Sequence, residues 1–242
     1  MGVIKLLKPL VPAVGRNNAS TREKWLEETL LNIPKASRIL DAGAGTQQYR
    51  KFCNHLNYVS QDFGQYDGTG DDAALQTGEF DYGKLDIISD ITSIPEPDSS
   101  FDAIMCIEVL EHLPDPVLAI KEFSRLLKPN GHLVITAPFC SFTHFAPYHF
   151  SSGFNSYWYD KHLPDNGFKD IEISSNGNFF EFIAQEVHRI PSIANRYSGR
   201  KPNLLELFSM FILLRMLTRF SKRDSGSSEL LCFGYHVHSR KG

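Results

Sequence analysis

Cysteine is scarce, four residues in 242, at Cys53, Cys106, Cys140 and Cys232. No two of them form a CxxC pair, which excludes zinc knuckles and redox dithiols and points to reduced thiols in a cytoplasmic setting. Positive charge is in no surplus either. Twenty-five Lys and Arg meet 28 Asp and Glu for a net charge of −3. That is the wrong balance for a protein that coats nucleic acid, so no nucleic-acid partner is expected. The start, MGVIKLLKPLVPAVG, is broken by Lys8 and two prolines and makes a poor signal peptide. Position 6 is Leu, where a myristoylation site needs Ser or Thr. Internal repeats and low-complexity tracts are absent. What is there, 22% charged and 42% hydrophobic, suits one large globular domain over residues 1–242.

Apolar periodicity alternates between helix and strand along the chain. TREKWLEETLLNI has helical spacing, with Thr21 as N-cap and Pro34 beyond its end, so residues 1–35 read as an N-terminal helical leader. SRILDAGAGT runs from a short strand through a Gly-rich turn to a helix start. LNYVSQD predicts a second strand and KLDIISD a third. FDAIMCIEV predicts a fourth, apolar throughout, as a strand buried on both faces is. Residues 63–83, rich in Gly, Asp and Tyr and without a period, read as a loop or lid.

DPVLAIKEFSRLL predicts an amphipathic helix stopping at PNG, and GHLVITAPF a fifth strand. NSYWYDKHLPDNGF reads as helix and turn, FKDIEISS as a strand, FFEFIAQEVHRI and LLELFSMFILLRMLTRF as helices, and SELLCFGYHVHS as a closing strand. The alternation predicts an α/β fold: a doubly wound, mostly parallel sheet of seven strands with helices on both faces. A helical insertion over about 178–222 precedes the last strand.

Chemistry-bearing residues gather at the predicted strand ends. In Ile39-Leu-Asp41-Ala-Gly43-Ala-Gly45-Thr46, glycines let the backbone turn tightly and approach a ligand closely. A dinucleotide fingerprint would need a small residue at Gln48 and an apolar one at Asp41. A carboxylate there suits a ligand with an ammonium and a sulfonium rather than a pyrophosphate. Asp62 ends the second strand, where an acid can accept both ribose hydroxyls. Asp90 follows the third, where a carboxylate can take an exocyclic adenine amine with Ile91 walling the ring. All three acids lie on the sheet edge where such folds bind ligands.

ILDAGAGT, YVSQD, SDITSIPEPDSSFDAIMCIEVLEHLPDP and LLKPNGHLVITAPF occur in that order. Over roughly residues 36–175 the chain resembles the class I S-adenosylmethionine-dependent methyltransferases, above all the small-molecule (type 11) group that includes the ubiquinone-pathway enzymes. The resemblance implies a Rossmann-like fold with S-adenosyl-L-methionine as cofactor. Residues 36–140 would form the cofactor-binding core and 141–242 the acceptor side. It implies Asp41, Gly43, Gly45 and Thr46 at the methionine end, Asp62 at the ribose, Asp90 and Ile91 at the adenine, and Glu108 facing the pocket. The family often has a third glycine where Gln47 stands, a departure that bears on the shape of the loop.

A hydroxyl acceptor needs a base. Candidates cluster in HFAPYHF after the fifth strand, with His149 first and His144 and Tyr148 beside it. If a helical turn follows the fourth strand, Glu108, Glu111 and His112 share a face. With His149 they would offer two oxygens and two nitrogens to a divalent metal. A similar ExxEH arrangement with a later His carries a metal in the small-RNA 2′-O-methyltransferases and some ubiquinone-pathway enzymes. EVLEH also occurs in relatives without a metal, so a metal is not the favoured expectation. DGTGDD fails the spacing of an EF-hand.

The expected acceptor is a small-molecule hydroxyl, with a sugar or polysaccharide precursor as its class. HFAPYHFSSGFNSYWYDKHLP and the C-terminal helices resemble methyltransferases of surface-polysaccharide pathways. Two rival readings are an RNA 2′-O-methyltransferase and a non-catalytic cofactor-binding partner subunit. Intact Asp41, Asp62 and Asp90 argue against the second. The helix from Leu204 to Phe220 is short for a bilayer span and holds Arg215. It reads as a buried helix, a lid or a homodimer face, and Arg219, Lys222 and Arg223 add a membrane-surface role through 204–223.

Overall fold

Every apolar run between residues 36 and 140 except one becomes a strand or helix of the expected kind in the computed structural model, which describes residues 12–242. β1 (Arg38–Ala42), β2 (Asn57–Asp62), β3 (Ile87–Ile88), β4 (Phe101–Ile107) and β5 (Leu127–Pro138) pair in parallel. β6 (Phe168–Asn176) and β7 (Gly234–Lys241) complete a seven-stranded sheet of order β3-β2-β1-β4-β5-β7-β6, with β7 antiparallel to β5. Strand order reverses between β1 and β4, and such a reversal opens a crevice beyond the strands' carboxyl ends.

The helices are α1 (Asn18–Leu31), α2 (Pro116–Leu126), α3 (Ser156–Asp165), α4 (Phe179–Ser198) and α5 (Leu204–Ser221). Leu26 and Leu30 of α1 pack with Ile39, Ala103, Met105, Ile107 and Val134 on one face of the sheet. Alternate residues Leu40, Ile104, Cys106 and Ile135 are equally buried, since a strand points successive side chains to opposite faces. Asp115 caps α2, its carboxylate accepting from the amides of Val117 and Leu118.

Several elements depart from the sequence reading. α1 starts three residues before Thr21, whose hydroxyl donates to Asn17 O (2.8 Å) from inside the first turn instead of capping it. The glycine turn leads to a 3-10 turn at Arg50–Phe52, not to a helix, because the glycine loop consumes much of the short link to β2. β3 is two residues, not seven. Asp86 takes the amide and hydroxyl of Ser60 (both 2.9 Å), so a side chain replaces the ladder there.

Contacts gather into two compact units. One is Arg22–Ser174 with Gly234–Gly242, and the other is the described residues up to Thr21 with Ser175–Phe233. In the latter, α4 continues past Pro191 to Ser198, where Gly199 (φ +64°) ends it, and Asn203 with Glu206 forms a capping box for α5. Ala184 and Val187 pack on Leu214 and Leu217. No helix among the described residues is long and apolar enough to cross a membrane.

Ile104 is 0% exposed at the centre of β4. Ile104→Ala is expected to cost about 2–5 kcal/mol from lost transfer energy and a cavity. A urea titration should show a lower midpoint with an unchanged slope.

Candidate cofactor and acceptor site

The turn after β1 is built on left-handed backbone. Gly43 has φ +75°, and an added Cβ would lie 2.6 Å from both Val109 methyls; Gly45 has φ +51°. The amides of Gly43 and Ala44 donate to Gln61 O (both 2.9 Å), and the Gly45 amide donates to Asp62 Oδ2 (2.9 Å). Gln47, where a third glycine was expected, adopts φ +57° itself. Its Nε2 donates to Tyr82 O (2.7 Å) and Lys84 O (3.0 Å), so the side chain offsets a conformation that glycine would take without strain. Thr46 is exposed at the end of the turn.

The acids at the strand ends differ in environment. Asp62 is buried, which pushes its carboxyl up, while the amides of Gly45 and Gly64 oppose that shift. Those amides occupy part of a carboxylate's acceptor capacity and leave room for a diol. Asp90 is exposed; Oδ1 accepts from the amide and hydroxyl of Thr92 (2.8 and 2.7 Å), and Ile91 next to it is buried. Asp41 is only 2% exposed and its Oδ2 accepts from the Tyr58 hydroxyl (2.6 Å). Burial raises its pKa to about 7 against the lowering effect of Tyr58.

Glu108, at φ +58°, breaks away from the turn that follows it. Its Oε1 accepts from Thr136 Oγ1 (2.8 Å) and its Oε2 pairs with Arg22 Nη1 (2.9 Å). It therefore does not share a helical face with Glu111 and His112, which sit on a 3-10 turn, Leu110–His112. Burial works against the Arg22 charge, and Glu108 and Tyr49 outweigh it.

Residues 63–83 fold onto the chain after β5. Leu75 N donates to Thr143 O (3.2 Å), Phe145 N to Leu75 O (3.0 Å), and Gln76 Nε2 to Ala146 O (3.0 Å). The rings of Tyr66, Phe80 and Phe145 pack together, and Phe80 lies over Gly45. The same post-β5 segment is pinned to the ExxEH turn, because Glu111 O accepts from the amides of Phe150 (2.9 Å) and Ser151 (3.1 Å).

Backbone carbonyls set the histidine tautomers. His112 Nδ1–H donates to Tyr148 O (2.5 Å) and His144 Nδ1–H to Phe142 O (2.8 Å), which leaves both Nε2 atoms as lone pairs. Ligand atoms of Glu111, His112 and His144 lie within 4.8 Å of one another. Glu111 is 1% exposed, with Oε2 unpartnered, and His112 Nε2 is likewise a buried orphan. Burial pushes the Glu111 carboxyl well up, with the Glu108 charge adding, and pushes His112 down to about 4. His149 stands beside them, its ring 4.8 Å from that of His144. Ser141 Oγ donates to Ser152 O (3.0 Å) and so accepts His149 Nε2–H (3.2 Å), leaving Nδ1 bare. Burial and His144 lower the His149 pKa.

The metal-ligand set expected from sequence is thus altered in geometry: His144 joins Glu111 and His112, and Glu108 turns to Arg22. The sequence reading missed Tyr58, Gln61 and Arg22. Gln61 could have been suspected, since three polar residues in succession, Ser60, Gln61 and Asp62, end β2 on its buried side. Nothing in the spacing marks Arg22. A groove lined by Arg38, Arg50, Asn57 and Tyr58 lies at the amino ends of β1 and β2, the edge opposite the site.

The reversal between β1 and β4, the glycine turn, the acids beyond β2 and β3 and an antiparallel β7 beside β5 define the class I methyltransferase fold. Residues 40–135 match the family described as a methyltransferase domain. A stretch of 49 residues is 41% identical to the ubiquinone biosynthesis O-methyltransferase of Alkalilimnicola ehrlichii, covering 20% of this chain and 19% of the relative. Its counterpart in Xanthomonas oryzae pv. oryzae is 51% identical over 41 residues, 17% of each chain. The chain therefore spans under a fifth of the length of these curated relatives. Among solved structures, an S-adenosylmethionine-dependent methyltransferase from Archaeoglobus fulgidus superposes with a TM-score of 0.56 at 16% identity, over 92% of this chain and 94% of that one. Phosphoethanolamine N-methyltransferase 2 of Haemonchus contortus gives 0.52 at 15% identity, over 91% and 52%.

Asp41 tests the electrostatics of the turn. Its folded pKa of about 7 exceeds the unfolded value of about 4, so the native state binds more protons between those limits. Stability should then fall as pH rises from about 4 to about 7. Asp41→Asn keeps an acceptor for Tyr58 and removes the charge. Thermal melts should show the variant ahead of the parent above pH 7, by at most about 4 kcal/mol, with the gap closing near pH 4.

Proposed function

We propose that this chain transfers the methyl group of S-adenosyl-L-methionine to a hydroxyl of a small molecule, with a sugar or polysaccharide precursor as the acceptor class. The observation that carries the reading is Asp62, a buried carboxylate bonded to the glycine turn with acceptor capacity to spare for a ribose diol. The O-methyltransferase names of the relatives support a hydroxyl acceptor, and the resemblance carried by the sequence of residues 144–164 supports its class. When bound, the cofactor supplies a methyl group activated on a sulfonium. Gly43 and Gly45 would give its methionine end close backbone approach, and Asp90 with Ile91 would meet the adenine.

His149 is the base of this reading. Its Nδ1 is bare, and burial and His144 favour the neutral imidazole that can take a hydroxyl proton. Loops 63–83 and 141–150, stitched together, would wall the reaction from water. A second reading has its own observation: the orphaned Glu111 Oε2 and His112 Nε2 beside His144. Buried polar atoms without partners are costly, and a divalent ion held by these three side chains would satisfy them. It would lower the pKa of an acceptor hydroxyl.

Asp62→Ala should weaken cofactor binding in calorimetry by roughly 2–4 kcal/mol through two lost charge-assisted bonds. Unchanged affinity would place the ribose elsewhere. A screen with labelled cofactor and mass spectrometry of products identifies the acceptor.

His149→Ala should lower turnover by about 10²–10⁴-fold with cofactor affinity intact. Activity lost to a chelator, restored by a divalent ion and missing in His144→Ala supports the metal. Full activity in chelator removes the metal and leaves His149 as base.

A further inference from the structure

We infer that the α4–α5 hairpin docks this protein on an anionic lipid surface. The inner faces of the two helices are spent on each other, and Phe180 meets Phe220 at 5.5 Å, which sets them antiparallel. Residues 199–203 are therefore the far end of the hairpin. There the chain exposes what a water-facing turn avoids. Leu204 is 79% exposed, Leu205 73% and Phe208 58%, beside Tyr197 on α4. Leu205, Phe208, Ile212 and Met216 recur at helical spacing on the face of α5 opposite Leu214 and Leu217.

Charge chooses the occupant. Arg196, Arg200 and Lys201 surround the tip, and Arg215, Arg219, Lys222 and Arg223 continue along α5, all exposed. Between 196 and 223 these seven cations meet one acid, Glu206, in a chain whose net charge is −3. Among the described residues none of the seven forms an ion pair. A second copy fits poorly, because a two-fold interface sets the same patch against itself, cations facing cations. Nucleic acid would match the charge and leave Leu204, Leu205 and Phe208 in water. A bilayer with anionic headgroups takes both: apolar side chains enter the headgroup–acyl boundary while Arg and Lys reach up to the phosphates. Tyr197 suits that boundary.

The test is cosedimentation of the full chain with vesicles of phosphatidylcholine alone or mixed with phosphatidylglycerol. The chain should pellet with the mixed vesicles only and be released by high salt. Replacing Arg215, Arg219 and Lys222 by Gln should cut partitioning about a hundredfold, at roughly fivefold per cation. Leu205→Ser with Phe208→Ser should also abolish it; both variants alter exposed positions and should keep the parent's circular dichroism and cofactor affinity. No pelleting, or equal pelleting with both vesicle types, overturns the proposal. So does a doubled mass in sedimentation equilibrium that the Leu205→Ser and Phe208→Ser pair abolishes, or binding of an RNA oligonucleotide while vesicles are ignored.

Discussion

The carboxyl edge of the sheet depends on the Asp62 carboxylate, which accepts the amides of Gly45 (2.9 Å) and Gly64 (3.1 Å). Those two bonds join the turn after β1 to the chain after β2. Gln61, one residue earlier, holds Gly43 and Ala44 through its carbonyl and Ser89 O through its side chain (2.7 Å). Two adjacent residues of one strand thus fix the ends of its two neighbours. Their interior position makes each bond worth more than the same bond in water.

On the other side of the crevice, Glu108 and Glu111 share a carboxyl group and little else. Positive φ at Glu108 sends its side chain to Arg22 and Thr136, where the charge is paired. Glu111 follows on the 3-10 turn, where burial favours its neutral form and outweighs the opposing charge of Arg22. Environments that separate two like groups in this way commonly mark a site with divided chemical roles. The backbone of Glu111 has a second duty, since its carbonyl anchors the amides of Phe150 and Ser151 and so sets where His149 stands.

Much of this was legible. Apolar runs bounded by acids and glycines gave away β1, β4 and β5, because strands buried on both faces can hold little else; β2 was marked by the short LNYVSQD run that ends in an acid. The insertion over 178–222 and the cluster of ExxEH with later histidines were visible for similar reasons. Features set by single side chains or single dihedral angles were not. β3 shrinks because Asp86 captures Ser60, and α1 starts early because the Asn17 carbonyl opens it. α4 runs through Pro191, a residue that ordinarily ends a helix. Gln47 is the most instructive case. Its identity suggested a changed loop, yet its backbone holds the glycine-like angle and its amide makes two new bonds.

The position of β7 also constrains how the chain is made. β5 and β6 are neighbours only through β7, which lies between them and comes from the far side of the helical hairpin. During synthesis at about 5–20 residues per second, the strands from β1 to β5 can pair as they emerge. β6 must wait beside an open edge until some sixty further residues have left the ribosome, a count that follows from the ends of β6 and β7. The nascent protein therefore passes through a stage with an unpaired, apolar β5 edge, the kind of surface that invites pairing with another chain. A chaperone that shields that edge would find its task finished only when Gly234–Lys241 slides into place.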